Sequence, residues 1–576
     1  MTVARVLQWI PGVEQARRYQ RSFLAPDIVA GLVLTGLLAP AGMAYAAASG
    51  LPPVNGLYAS IIPLFVYAVF GPSRILVLGP DSSLTPLIAA AVLPTVVANP
   101  ADAVAVAGML AVLAGVICVV AGLARFGFLA ELLSAPVRYG YLHGIAITII
   151  VSQAAKLCGF SVPGDSLFGQ LKAFVRGLAD GLFNGWALLV GVTCLAVILL
   201  LRAGSKRLPG TLIAVVLGIA MSLVLHLESK GVPVVGDLPS GLPSLRWPHL
   251  DWAHVQQLLG AALGVAFVAF ADTSVLSRTM AIRRREPVDA NRELVALGLS
   301  NIGAGLFQGF PISSSSSRTP VAESAGAKTQ FTGVVAATAM MLIAVLVPGV
   351  FRHMPDATLA AIVMAAALSL IDIPTMARLY RVRRSEFVLA IAAMAAVAIL
   401  GPVSGVVAAI ALSILNFLRL AWKPHTAELV RVDGLKGYHD RARHPEGRRV
   451  PGLLLYRFDA PLFFANARFF SDDLMRRIAE RADADHVRCV IITAEPITDV
   501  DATAAEMLRD VFADLTDQGI ELRFAELKGT VHERVDRYDV FHGNMPDHTA
   551  RTTGEAVKAY VRTHEVHWVD WEDRTP

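Results

Sequence analysis

The chain has 576 residues, of which 55% are hydrophobic and 17% charged, with a mean hydropathy of +0.56 and a formal net charge of +4. This composition fits a polytopic membrane protein better than a soluble globular one. The small net charge, and the lack of a basic arm interleaved with aromatics, argue against nucleic acid as a partner. The four cysteines, Cys118, Cys158, Cys194 and Cys489, show neither a CxxC nor a Cys/His spacing. No disulfide framework, metal site or cofactor is therefore expected.

Residues 1–26 carry Arg5, Arg17, Arg18 and Arg21 without an early apolar core and cleavage site. A short cytoplasmic N-terminal segment is expected there, not a signal peptide. From 27 to 422 the chain is a transmembrane domain of about fourteen apolar runs, judged against the roughly 20 residues that a span needs. The runs are 27–48, 53–71, 81–97, 103–123, 133–156, 184–202, 209–227, 255–275, 291–309, 317–328, 332–350, 357–372, 385–400 and 403–421. The small residues from Ala44 to Gly50 suit close helix packing. Asn55 and Tyr58 are expected to shape the turn before the second run, and His143 to be a satisfied core histidine.

Charge sets the orientation. Three basic loops stand out: Arg202, Lys206 and Arg207; Arg278, Arg283, Arg284, Arg285 and Arg292; Arg378, Arg381, Arg383 and Arg384. An even span count with a cytoplasmic N-terminus puts all three loops and the C-terminal region inside. Beyond the spans, 423–449 reads as a polar linker. Residues 450–565 alternate strands (452–457, 487–492, 520–524) with helices (468–481, 504–518), an α/β domain. Residues 566–576 read as a tail.

Two apolar runs are broken by polar sequence. One break is Leu78-Gly79-Pro80-Asp81-Ser82-Ser83. The other is Ser313 to Ser317, running into Arg318. Run 317–328 is too short to cross alone, and makes sense as a half-helix joined to extended backbone that lines a cavity. A cation in a bilayer is costly and usually functional. Paired breaks in corresponding halves point to a transport site.

Residues 40–58 (PAGMAYAAASGLPPVNGLY) and 63–80 (PLFVYAVFGPSRILVLGP) closely resemble the sulfate permease (SulP) family, the solute-carrier group that includes prestin. Residues 310–330, with FPISSSSSR and AGAKTQ, are similar to that family's tenth span. APLFFANA at 460–467 is similar to the opening of its STAS domain. The resemblance implies a polytopic α-helical membrane protein of 14 spans, built as seven-plus-seven inverted repeats forming core and gate domains. It also implies a cytoplasmic α/β STAS domain and a homodimer. Ala41 departs from the pattern, standing where the family often has a glutamine beside the anion. Asp81 departs too, standing where many animal members have an apolar residue.

Inverted symmetry would aim two helix starts, near Ser82 and Ser317, at one point, where free N–H groups and partial positive charge favour an anion. The expected substrate-binding residues are Ala41, Gly79, Pro80, Asp81, Ser82, Ser83, Ser316, Ser317 and Arg318. Asp81 can cap its helix, yet its charge would repel an anion unless Arg318 neutralises it or it carries a proton. A proton entering on Asp81, or on Asp272 where the family often has an acid, is therefore expected. Glu323 is the third coupling candidate, with Lys328 or a neighbouring helix as its expected partner.

The expected function is secondary active transport of a small inorganic or organic anion: sulfate or a related oxyanion, bicarbonate or a dicarboxylate. Proton symport by an elevator-type motion is expected, in contact with lipid in the cell's inner (plasma) membrane. Sodium-coupled bicarbonate transport and a channel-like or voltage-responsive anion protein stand as alternatives. No Ser-His-Asp arrangement or GxSxG surrounds the serines, so an enzyme is not expected. The STAS resemblance implies regulation or dimer contacts. In its loop Ala502 replaces the serine that relatives phosphorylate, and Thr503 is expected to cap a helix. The tail His564-Glu565-Val566-His567 is expected to be solvated, with no metal.

Overall fold

The computed structural model describes residues 10–98, 102–131, 134–162, 167–204, 209–239, 241–248, 252–315, 317–481 and 486–573. Arg5, Lys206, Arg207 and the candidate Ser316 lie outside the described residues. The chain divides into two compact units, residues 1–414 and 415–576.

The first unit is helical. After the short α1 (Pro11–Arg17) come α2 (Leu24–Ala48) and α3 (Pro53–Phe70), then a two-residue strand β1 (Leu78–Gly79). Helices α4 (Thr85–Ala98), α5 (Ala103–Leu123), α6 (Ala135–Leu157), α7 (Leu167–Ala179), α8 (Gly185–Gly204) and α9 (Gly210–Leu225) complete the first half. The second half repeats the pattern. Helices α10 (Trp252–Arg284) and α11 (Ala290–Leu306) precede strand β2 (Ser313–Ser314) and the short α12 (Arg318–Ser324). Then follow α13 (Phe331–Leu346), α14 (Asp356–Leu368), α15 (Ile373–Val382), α16 (Arg384–Leu400) and α17 (Pro402–Trp422).

Among the described residues, seven helical segments are long and apolar enough to cross a membrane. Apolar side chains such as Leu200, Val224 and Leu263 point outward, a surface suited to lipid. Inside, the packing relies on small residues. A Cβ on Gly298 of α11 would lie 2.5 Å from the Gly115 carbonyl oxygen of α5, and one on Gly115 would lie 2.5 Å from the Gly298 oxygen. Backbones this close are what glycine at a membrane helix interface permits.

Several expectations are corrected. The tenth run, expected over 317–328, is helical only over Arg318–Ser324, because Gly326 (φ +102) turns the chain out of the helix. The eighth helix runs on to Arg284, so Arg278, Arg283 and Arg284 are helical and not in a loop. No proline interrupts it before Pro287. Asn55 and Tyr58 are buried inside α3 and not in a turn. The Asn55 amide donates to the Gln308 carbonyl at 2.6 Å, which explains a polar residue at that depth. Helices α7 and α15 were not anticipated, since short amphipathic helices leave no long apolar run.

The second unit holds a six-stranded sheet in the order β4-β3-β5-β6-β7-β8, formed by β3 (Thr426–Arg431), β4 (Tyr438–Asp440), β5 (Leu453–Phe458), β6 (Cys489–Thr493), β7 (Glu521–Ala525) and β8 (Thr549–Ala550). Strands β5 to β8 are parallel, and β3 joins antiparallel with Thr426 opposite Phe458. Helices α18 (Ala467–Ala479), α19 (Ala502–Asp517), α20 (Gly529–Arg537) and α21 (Thr553–Thr563) cover it. Apolar clusters fill both faces, around Phe470 on one and Tyr560 on the other.

The stretch read as a linker, 423–449, therefore contains two strands of the sheet. Ala427 and Leu429 are buried in the core, a role that the surrounding polar residues disguise. Asp501, not Thr503, caps α19, accepting from the Ala504 N–H at 2.8 Å. The tail is docked and not free. Arg431 bonds Asp570 at 2.9 Å and pairs with Glu572 at 3.0 Å, and Arg448 lies 4.5 Å above the Trp568 ring.

Candidate anion site

The two polar breaks meet. Strands β1 and β2 pair antiparallel, with Leu78 opposite Ser314 and Gly79 opposite Ser313. The Ser315 N–H extends the pairing to the Val77 carbonyl at 3.1 Å, and the Val77 N–H donates to Thr319 Oγ1 at 3.1 Å. Extended backbone inside a helical unit is satisfied only because each break supplies the other's partners.

This pairing places Arg318 against the first break. Its side chain is buried, donates from Nη2 to the Pro80 carbonyl and lies 3.7 Å from Asp81 Oδ2. Its Nη1 is buried without a hydrogen-bond partner among the described residues. Gly79 keeps the space beside it open, since a Cβ there would stand 3.7 Å from Nη1, on a backbone with φ +157 that L residues rarely adopt.

The carboxylates form a chain through one serine. Asp81 Oδ1 accepts from the Ser83 N–H and lies 3.0 Å from Ser83 Oγ, which is 2.7 Å from Asp272 Oδ2. Asp81 thus caps the turn before α4, and Asp272 lies well inside α10, whose residues run to Arg284. A serine hydroxyl has one hydrogen. It can serve one carboxylate, and the second contact is a bond only if that acid is itself protonated.

Not every expected residue joins this cluster. Ser83 is part of it and Ser82 is buried next to Ser83, while Ser317 is exposed and contacts Ser315 Oγ at 3.1 Å. Ala41 is buried in the interior of α2 and offers only a methyl group. Glu323 does not meet Lys328; its carboxylate lies 3.6 Å from Arg283 and 3.7 Å from Arg284, at the end of α10. His143 is satisfied as expected, its Nδ1 bonded to the Tyr139 carbonyl and its Nε2 accepting from the Asp372 N–H at 3.1 Å.

Other members were not anticipated. Buried Ser314 Oγ, Thr273 Oγ1 and the Tyr141 hydroxyl have no hydrogen-bond partner among the described residues. Each stands next to, or is acted on by, a member of the cluster: Ser314 in β2, Thr273 beside Asp272, and Tyr141 through the Asp272 charge. Tyr45 is buried in α2, close enough for the charges of Asp81 and Arg318 to act on it. The one signal for it in the sequence is that it is the lone aromatic within Ala44–Gly50. Among the described residues, no group of three His, Cys, Asp or Glu could hold a metal ion.

The Sulfate permease family model matches residues 24–393, and the STAS domain model matches residues 444–556. A probable sulfate transporter of Mycobacterium tuberculosis is 42% identical over 557 residues, covering 96% of this chain and 98% of that protein. The inward-facing structure of the murine solute carrier 26 family member A9 anion transporter superposes with TM-score 0.88 at 21% identity, covering 98% of this chain and 95% of that one. The transmembrane domain of a cyanobacterial bicarbonate transporter superposes with TM-score 0.60 at 22% identity, over 69% of this chain and 98% of that one. A buried arginine beside a buried aspartate, inside a helical membrane unit in a chain that also carries a STAS domain, agrees with those matches: the chain belongs to the sulfate permease family and is a multi-pass membrane transporter of small anions.

Proposed function

We propose that this chain is a proton-coupled symporter of sulfate or a related oxyanion. The observation that carries this reading is the unmet Nη1 of Arg318 beside two carboxylates that share one hydroxyl. An anion seated there would take Nη1 and the hydroxyls of Ser314 and Thr273. A buried donor left without a partner costs about 1–3 kcal/mol, which a bound oxyanion would recover. Because α12 has only seven residues, the site depends on the full charge of Arg318 more than on a helix dipole.

In this reading Asp81 stays ionised, held by Arg318 and the Ser83 N–H. The transported proton sits on Asp272, which donates to Ser83 Oγ while the Ser83 hydroxyl donates to Asp81. One extra proton thus completes the chain and offsets the negative charge that would repel the anion. The name of the mycobacterial relative supports sulfate. The family resemblance supports an elevator-type motion, a homodimer and a plasma-membrane location. The basic loops support cytoplasmic termini.

Uptake of radiolabelled sulfate into proteoliposomes, with imposed pH or sodium gradients, tests this. Wild-type uptake is expected to rise with an inward proton gradient. Asp272→Asn, whose amide mimics the protonated acid, is expected to make uptake independent of pH, and Arg318→Gln to abolish it. Full pH-stimulated uptake by Asp272→Asn sinks the proton assignment. Uptake of bicarbonate driven by sodium would establish the alternative coupling instead.

A further inference from the structure

A second cation in the first unit stands apart from Arg318. Lys156 is near the C-terminal end of α6, and its Nζ donates to the Ala47 carbonyl, in the last turn of α2, at 2.7 Å. An ammonium has three N–H donors. Among the described residues this is the single hydrogen bond that the Lys156 ammonium makes. Capping a helix C-terminus explains that bond, and the Asp356 carboxylate offsets the charge from one side, but two ammonium donors are left over.

Lys156 borders two adjoining cavities of about 290 and 260 Å³. Asp356 lines the first, so that one holds charges of both signs. In the second, Lys156 is the one charged residue among the described lining residues, and Gln153, Ser161, Ser152, Thr148 and Thr85 supply its polar wall. Gln153 is buried and uses its amide nitrogen on Ser152 Oγ at 3.2 Å, leaving a further amide hydrogen. The cavity also reaches the Arg318 cluster: Thr85 opens α4, and its hydroxyl donates to the Asp81 carbonyl at 2.9 Å.

We propose that this second cavity is a separate binding site for a small oxyanion, held by Lys156 and Gln153, where the substrate waits one helical turn from the Arg318 site. The identity of its ligand as transported anion rests on the function proposed above; its existence as an anion site does not. One ammonium, offset in part by Asp356, with neutral donors suits weak, reversible capture, and Thr85 at the start of α4 links the cavity wall to Asp81. Lys156 leaves Ala47 or shares it when the anion arrives.

Equilibrium binding of radiolabelled sulfate to the purified full chain in detergent tests this by stoichiometry. The wild type is expected to bind two sulfates per chain, Lys156→Gln and Arg318→Gln one each, and the double variant none. Lys156→Arg is expected to bind two. Gln153→Met, a milder change, is expected to weaken the second sulfate several-fold and leave the first unchanged. Wild-type binding of no sulfate overturns the proposal, as does a Lys156→Gln chain that binds as many sulfates as the wild type. If Arg318→Gln keeps both sulfates while Lys156→Gln loses one, the Lys156 site stands and the central site falls.

Discussion

Arg318 and Gly79 act as a pair, one supplying an unmet N–H and the other the room around it. Gly79→Ala would force a Cβ to 3.3 Å from Leu38 and 3.7 Å from Nη1, on a backbone with φ +157. Strain of this kind costs about 1–3 kcal/mol. The variant is expected to assemble in the membrane yet raise the KM for sulfate on the order of tenfold, about 1.4 kcal/mol. A KM unchanged in proteoliposomes would separate Gly79 from the anion. Ser83 deserves the same scrutiny, because its one hydroxyl links Asp81 to Asp272. Ser83→Ala removes the link but neither acid, and is expected to diminish the pH dependence of uptake more than its maximal rate.

At the scale of elements, the close approach of α5 and α11 depends on Gly115 and Gly298. Gly298→Val would drive a branched side chain into the Gly115 backbone, 2.5 Å from its Cβ position, and overpacking costs about 1–3 kcal/mol or more where backbone blocks relief. The variant is expected to lose its monodisperse peak in size-exclusion chromatography, while Gly204→Val, with nothing within 4 Å, keeps it. In the sheet, β3 is fastened to α18 through Asp473. Burial pushes the Asp473 carboxyl up, but hydrogen bonds from Arg477, Thr426 and Tyr456 outweigh it and hold it below the usual carboxylate range. A lowered folded-state value stabilises above the unfolded value, about 3.9, and that contribution disappears as pH falls through the folded value. The protection factors of the β3 and β5 amides in the full chain, with the intrinsic pH dependence of exchange divided out, are expected to fall below about pH 4. Asp473→Asn should exchange faster at neutral pH and respond less to acid.

At the scale of the whole molecule, the basic residues set the sidedness. Arg283 and Arg284 meet Glu323 and Arg284 bonds the Ala327 carbonyl, so these arginines also serve packing. The surplus of positive charge at this end is the basis of the proposed orientation, with this end inside. Trypsin is therefore expected to digest the unit 415–576 in inside-out vesicles and to spare it in right-side-out ones. Digestion from the outer side would reverse the orientation.

The membrane unit, the STAS domain and the two polar breaks were legible in the sequence, because length, hydropathy and the motifs at 40–58, 63–80, 310–330 and 460–467 are local properties. The sequence alone also singled out Arg318, Asp81 and Asp272, since ionisable residues are conspicuous among apolar ones. It could not tell which of them touch. Only the pairing of β1 with β2 brings Arg318 to Pro80, and only the course of α10 brings Asp272 to Ser83 while sending Glu323 to Arg283 and Arg284. Hydroxyls such as Tyr45, Tyr141 and Thr273 were invisible for the same reason: a lone hydroxyl in a span is cheap and common, and acquires meaning from what it faces. Strand β3 hid within polar sequence because a strand's neighbours, and not its own composition, decide its place in a sheet. The chemistry available to this protein was written in its residue types, and tertiary contacts over long separations decided which of those residues meet.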